Sequence, residues 1–305
     1  STMRYAPACR LAFSDEVAVP SLIDDFAAKI ELIDEFTADG DRAAALKLAS
    51  ARKSLANEHK RSSGKRVMMR RLDLLRERRA EEAKLCEAAP EAAALLSRLA
   101  DVYSALRDAE PKAAALEGLR GVYHGSSLLS VAHALHEGAY EAVKPDDERE
   151  AAYRARNLPF LAARLVKRLG DLHPPHEAAL VRRAASAPQY AQCAPVRALD
   201  AAADLLAKGR AVPTATLGAE EISNILHGKA LPPDDPFGRC AAAVFADYRE
   251  RRDAERALLS ERDELLAKLL ELQRTHASAG EKFYPDANGC LRLSAGHVEG
   301  YAAAD

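Results

Sequence analysis

From Pro20 to about residue 280, apolar residues recur three or four apart, and prolines and glycines punctuate the chain at helix-length intervals. That period dictates helices, each with one apolar stripe. The stretch Phe283-Tyr-Pro-Asp-Ala-Asn-Gly-Cys-Leu-Arg-Leu-Ser breaks the rule. Pro285 bars helix propagation, and Asp286, Asn288 and Gly289 are turn formers. Leu291 and Leu293 then alternate with Arg292 and Ser294, the period of a half-buried strand. A lone strand leaves its backbone donors and acceptors unpaired, so it needs a partner inside this chain or outside it.

Taken in order, residues 1–19 read as irregular or extended, because Pro7 and Pro20 push the residues before them out of the helical region. Ser21, with Asp24 three residues on, resembles a capping box opening a helix that Asp39-Gly40 ends. Further helices are expected over about 41–62, 65–88, from Pro90, from Pro111, and over 126–138. The segment 146–169 carries Pro159 inside its pattern and should kink or split there. Helices follow over about 176–186, 188–208 and 219–227, and a long one over 236–278. In that last helix Arg249–Arg256 is charged nearly all round, as expected of a solvated stretch or a span between two packing sites. The expected fold is therefore all-α. It is an irregular bundle of about ten helices over 20–280, with a short extended N-terminal segment over 1–19 and a turn plus C-terminal β-strand tail over 281–305. No period recurs as it would in a helical repeat array.

Composition narrows the functional classes. The chain has 305 residues, 48% hydrophobic and 30% charged, without Trp. An Ala- and Leu-rich mixture of this kind suits helices that pack through small residues. A formal net charge of -2 selects neither nucleic acid nor a membrane surface. No apolar run approaches the length of a membrane span, and the first residues lack the apolar core of a signal peptide. Cys9, Cys86, Cys193, Cys240 and Cys290 are widely spaced and odd in number. They read as small buried hydrophobes rather than a disulfide framework or zinc site.

Candidate chemistry is sparse. His133 and His136 share a helix face, and His173 and His176 flank two prolines, but no carboxylate or Cys joins either pair at ligand spacing. Structural histidines are expected at all four, and no metal or cofactor motif is found. No Gly-x-Ser-x-Gly or Gly-x-Ser-Gly stretch offers a serine nucleophile. In Tyr123-His124-Gly125-Ser126 the serine is placed to cap the helix that follows. Residues 60–79 hold nine basic side chains against Asp73 and Glu77. Without interleaved aromatics they read as a solvated helix face with ion pairs, and phosphate binding is the alternative. Asn57 sits among helix formers, where it is mildly unfavourable, and a helix-end cap would explain it.

The tail motif Tyr284-Pro-Asp-Ala-Asn288-x-x-x-Arg292-x-x-x-Gly296-x-Val298-x-Gly300-Tyr301 resembles the signature of the dipeptidyl-peptidase 7/11 type serine exopeptidases. Ser1-Thr-Met-Arg-Tyr5, Leu55-x-Asn57-x-x-Lys60-x-x-x-Gly64, Arg156-Asn-Leu-Pro-Phe160 and Asp234-Asp-Pro-Phe237 are similar to segments of the same family, in the same order. The resemblance implies a helical domain inserted into a chymotrypsin-like double barrel. It would cap the active-site cleft and return to the barrel through the tail. In that family the Asn of the Asn-x-x-Lys motif helps hold the free amino terminus of the substrate, which carries over to Asn57. An amide oxygen accepting from an ammonium is suited to counting residues from an amino end.

The same resemblance implies that the catalytic His and Asp lie before this segment and the Ser after it, so the triad is not here. Gly289-Cys290 and Ala302-Ala-Ala-Asp305 also depart from the family pattern. The expected function is a helical cap of a dipeptidyl-peptidase-like serine peptidase, catalytically inert alone. Its partner would be a peptide or oligopeptide N-terminus, and its compartment periplasmic or secreted if it belongs to a bacterial member. The alternative is a stand-alone helical scaffold or subunit that binds other protein subunits. Nucleic acid is a weaker third partner, through 60–79.

Overall fold

A computed structural model describes residues 6–38, 42–122 and 124–276. Among them every regular element is a helix. The strand expected over 281–305 lies outside the described residues.

The N-terminal segment differs from expectation. Helix α1, Ala8–Phe13, runs through a π-helical turn at Ser14–Ala18 directly into α2, Val19–Thr37. Pro20 lies in the first turn of α2, directly after the π-helical turn. The wide turn before it gives the pyrrolidine ring room that a regular helix would deny. Burial of Leu11 and Val19 outweighs the pre-proline bias against helix. Glu82 caps α1 from another helix, its Oε1 accepting from the Ala8 N–H at 2.7 Å.

Helix α3, Arg42–Arg71, runs on past Gly64, where a break was expected. It ends instead at Asp73, which turns left-handed with φ 47° before α4, Leu74–Ala88. Helix α5, Glu91–Leu119, likewise passes through Pro111 rather than starting there. Helix α6, Ser127–Ala142, starts at the expected cap: Ser126 Oγ accepts from the Leu129 N–H at 3.1 Å. The 146–169 segment is split, with 3-10 turns at Ala151–Tyr153 and Ala155–Asn157 and then α7, Leu158–Gly170, with Pro159 in its first turn.

There follow α8, Pro174–Ala185, α9, Ala194–Arg197, α10, Leu199–Ala207, and α11, Ala219–Leu226. The last helix, α12, is Pro236–Thr275, 40 residues, about 60 Å long at helical rise. Asp235 opens it, accepting from the Gly238 N–H at 2.9 Å and from the Thr214 hydroxyl at 2.5 Å.

Among the described residues four apolar clusters organise these helices, the smallest of them joining Leu11 of α1 to Met69 of α3 beside Leu74 and Leu75 of α4. The largest gathers α6, α7, α8, α10, α11, the C-terminal end of α5 and the first third of α12 around Phe237, Leu128, Leu135 and Leu199. A second joins α4, the start of α5 and the far end of α12 through Leu85, Leu99, Leu265 and Leu269. The charged middle of α12 therefore spans two packing sites. There Arg252 meets Glu137 and Glu150, and Arg256 meets Glu150 at 2.9 Å. The third cluster is confined to the α2–α3 hairpin: Phe26, Ile33, Leu48 and Leu55.

Candidate functional site

Asn57 lies in the middle of α3, so a helix-end cap does not account for it. Helical periodicity puts Leu48 and Leu55 against α2, and Asn57 lies off that buried stripe, exposed. Its side chain lines one end of a groove of about 420 Å³ between α2 and α3, with Ile33, Thr37, Leu48 and Arg52 among the walls. Among the described residues its amide has no hydrogen-bond partner. Along the same groove Arg52 forks onto Asp34, Nε to Oδ1 at 2.5 Å and Nη2 to Oδ2 at 3.0 Å. That bond holds the Asp34 carboxyl below its ordinary range. Sequence reasoning missed this pair, because its members come from two helices and no short-range spacing announces them.

Ser54, one turn before Asn57, is bonded to His124 from the loop between α5 and α6, Oγ to Nε2 at 3.0 Å. A serine within reach of an imidazole is a nucleophile–base pair that still needs a third group to orient the base. That third group is not built: among the described residues no carboxylate hydrogen-bonds the His124 ring, and nearby Glu58 pairs with Arg61 at 2.5 Å. Ser126, the neighbour of His124 in sequence, points elsewhere. Its hydroxyl donates to the buried Glu177 carboxylate at 2.5 Å, which also accepts from the Leu128 N–H at 2.8 Å. Burial pushes the Glu177 carboxyl up.

His133, His136, His173 and His176 are built into the packing. His133 Nε2 accepts from Arg120 Nε at 2.9 Å, and its ring stands edge-on to Tyr248 at 4.9 Å. Burial, then the Arg120 charge, pushes it down to about 3. His136 lies edge-on to Phe245 at 4.8 Å. His173 caps α8, its Nδ1 accepting from the His176 N–H at 3.3 Å, and both rings meet Phe36 of α2. Among the described residues no three His, Cys, Asp or Glu side chains converge as metal ligands would.

The basic run over 60–79 is laced into ion pairs: Arg66 and Arg70 onto Asp15 at 3.2 and 3.0 Å, Arg76 onto Asp73 at 2.8 Å, and Arg78 onto Glu81. Cys9, Cys86, Cys193 and Cys240 are free thiols, and burial pushes Cys240 up to about 12. No helix among the described residues is long and apolar enough to cross a membrane.

Comparison with known proteins gives this geometry a lineage. The chain is 25% identical over 321 residues to an Asp/Glu-specific dipeptidyl-peptidase of Shewanella putrefaciens. That match covers 100% of this chain and 43% of the relative, so the chain spans less than half the length of the curated protein it matches. The model of the peptidase S46 family matches residues 1–305, and the chain belongs to that family.

Proposed function

We propose that this chain acts as the helical cap of a dipeptidyl-peptidase, covering the substrate cleft and presenting Asn57 to the free amino terminus of a peptide. Taken alone it is catalytically inert. The observation that carries the proposal is Asn57 itself. It stands exposed in mid-helix at the end of a groove, where an Asn is unfavourable for the helix and forms no bond among the described residues. A side chain that costs the fold something and gives it nothing is suited to a ligand. Its amide oxygen can accept from an ammonium, and such a charge-assisted bond is worth about 1.5–3 kcal/mol.

The test is Asn57→Ala in the full natural polypeptide, with fluorogenic dipeptidyl substrates. kcat/KM should fall about 10- to 100-fold, the kinetic equivalent of one such bond. A substrate blocked at its amino terminus should lose the same factor, and the variant should not distinguish it further. An unchanged kcat/KM removes Asn57 from the site. Residues 1–305 alone should turn over nothing; hydrolysis inhibited by a serine-directed fluorophosphonate would show that they carry their own nucleophile.

A further inference from the structure

The loop between α5 and α6 is folded tightly, and one of its residues is in an unfavourable conformation. Gly121 takes φ +61°, and a Cβ there would meet the Ser126 carbonyl oxygen at 1.9 Å. A Cβ on Gly125 would meet the Val122 carbonyl oxygen at 2.9 Å. Both glycines are dictated by the turn. His124, between them, takes φ 60°. That left-handed region is uncommon for any residue with a Cβ, His being among those that tolerate it best, and strain of this kind persists where the surroundings enforce it, often at functional sites. A glycine would serve the turn better.

What the imidazole gains is a contact outside the loop, the 3.0 Å bond to Ser54 Oγ on α3. The loop end of this link is anchored in the largest core through Ser126 and Glu177. The other end lies one turn from Asn57. Residues three apart on a helix are surface neighbours, so whatever fixes Ser54 fixes the turn that presents Asn57. The other ties of α3 to the body lie nearer its ends. Lys47 Nζ donates to the Leu172 carbonyl at 3.1 Å, and Arg66 and Arg70 hold Asp15. The charged groups around the His124 ring are Lys29 of α2, Glu58 of α3 and Arg168 of α7.

We propose that His124 is a positioning residue for the amino-terminal subsite: bonded to Ser54, it sets the rotation and height of the α3 turn that carries Asn57. This rests on Asn57 contacting the substrate amino terminus, as proposed above.

A double-mutant cycle in the full natural polypeptide tests it, read as KM and kcat on dipeptidyl substrates beside the Asn57→Ala control. His124→Ala and Ser54→Ala should each raise KM about 3- to 10-fold, the loss of one neutral hydrogen bond, with kcat changed far less. The double variant should be no worse than either single one, because both remove the same link. Ser54→Thr keeps the hydroxyl and should restore KM. His124→Gly keeps the left-handed turn without a Cβ, so its Tm should hold or rise while KM still increases, which separates positioning from folding. If Asn57→Ala raises KM and His124→Ala does not, the positioning role is overturned and the subsite stands. Independent, additive effects of the two single variants also overturn it. If Asn57→Ala changes nothing, the subsite fails and His124 has nothing to position.

Discussion

His176 is buried at the start of α8, and its Nε2 meets no partner among the described residues. Burial, then the neighbouring His173, pushes it down to about 4. In an unfolded chain a histidine titrates near 6.5. The unfolded state therefore takes up protons first as pH falls. The stability conferred by the neutral ring is complete above about pH 6.5 and is lost toward pH 4. Buried Glu177 and Glu137 oppose this, because burial raises both. Their contribution is complete below about pH 4.5 and is lost as pH rises through their raised values. The two sets of groups pull in opposite directions over the same window, so the slope of the whole protein is a difference. His176→Gln isolates one side of it. That variant should lose about 3 kcal/mol of acid sensitivity between pH 7 and pH 4 relative to the parent. Urea midpoints at pH 7, 5.5 and 4 measure it, and parallel slopes for the two proteins would refute it. These histidines read as structural from sequence because ligand partners were missing at the right spacing. Their burial partners were not legible, since Phe36 and His173 are far apart in the chain.

At the level of elements, the breaks that local chemistry enforces were legible and those that packing can overrule were not. Pro159, Pro174 and Pro236 start helices, where a missing N–H is harmless. Ser126 caps α6 with a side-chain bond that sequence spacing announces. Gly64 and Pro111 were misread as breaks. Each lies inside a long helix that is buried against a neighbour on both sides of it, α3 by Leu55 and Met69, α5 by Leu99 and Leu116. Burial of that size exceeds the cost of one poor helix former. The true break at Asp73 sits in a run with helical period and gives no warning. Gly64 offers a direct check, because it is exposed and a Cβ there would touch nothing within 4 Å. Gly64→Ala should stabilise by roughly 1 kcal/mol, raising Tm by about 2 °C for a chain of this size. A lower Tm would mean that the chain breaks at this glycine after all. Asn57 depends on the same point: with α3 unbroken, it becomes a mid-helix residue that needs a reason, and the sequence alone allowed a cap.

For the whole molecule, the apolar clusters differ in how much they can hold. α12 and α5 run through both the largest core and the second one, so opening either costs contacts in two places. The α2–α3 hairpin has a core of its own in Phe26, Ile33, Leu48 and Leu55, and rests on the body through Phe36, the small apolar cluster of Met69 with Leu11, Leu74 and Leu75, and a few polar ties. Side chains like these contribute about 2 kcal/mol each when fully buried, set against the ordering of a segment that also exposes Leu46 and Met68. The hairpin should therefore open as a unit at lower cost than the rest. If Asn57 holds a peptide amino terminus as proposed, its place on this hairpin would let the subsite open without unfolding the body. Leu55→Ala tests this, because Leu55 is 1% exposed and belongs to the hairpin core alone. The substitution should cost about 2–5 kcal/mol locally. Native-state hydrogen exchange should then speed up across α2 and α3 while amides of α6 and α10 keep their protection. Leu135→Ala, in the largest core, should instead raise exchange through every helix that shares it. A uniform rise for both variants would mean that the hairpin is not a separate folding unit, and a subsite carried on it could not move without unfolding the body that supports it.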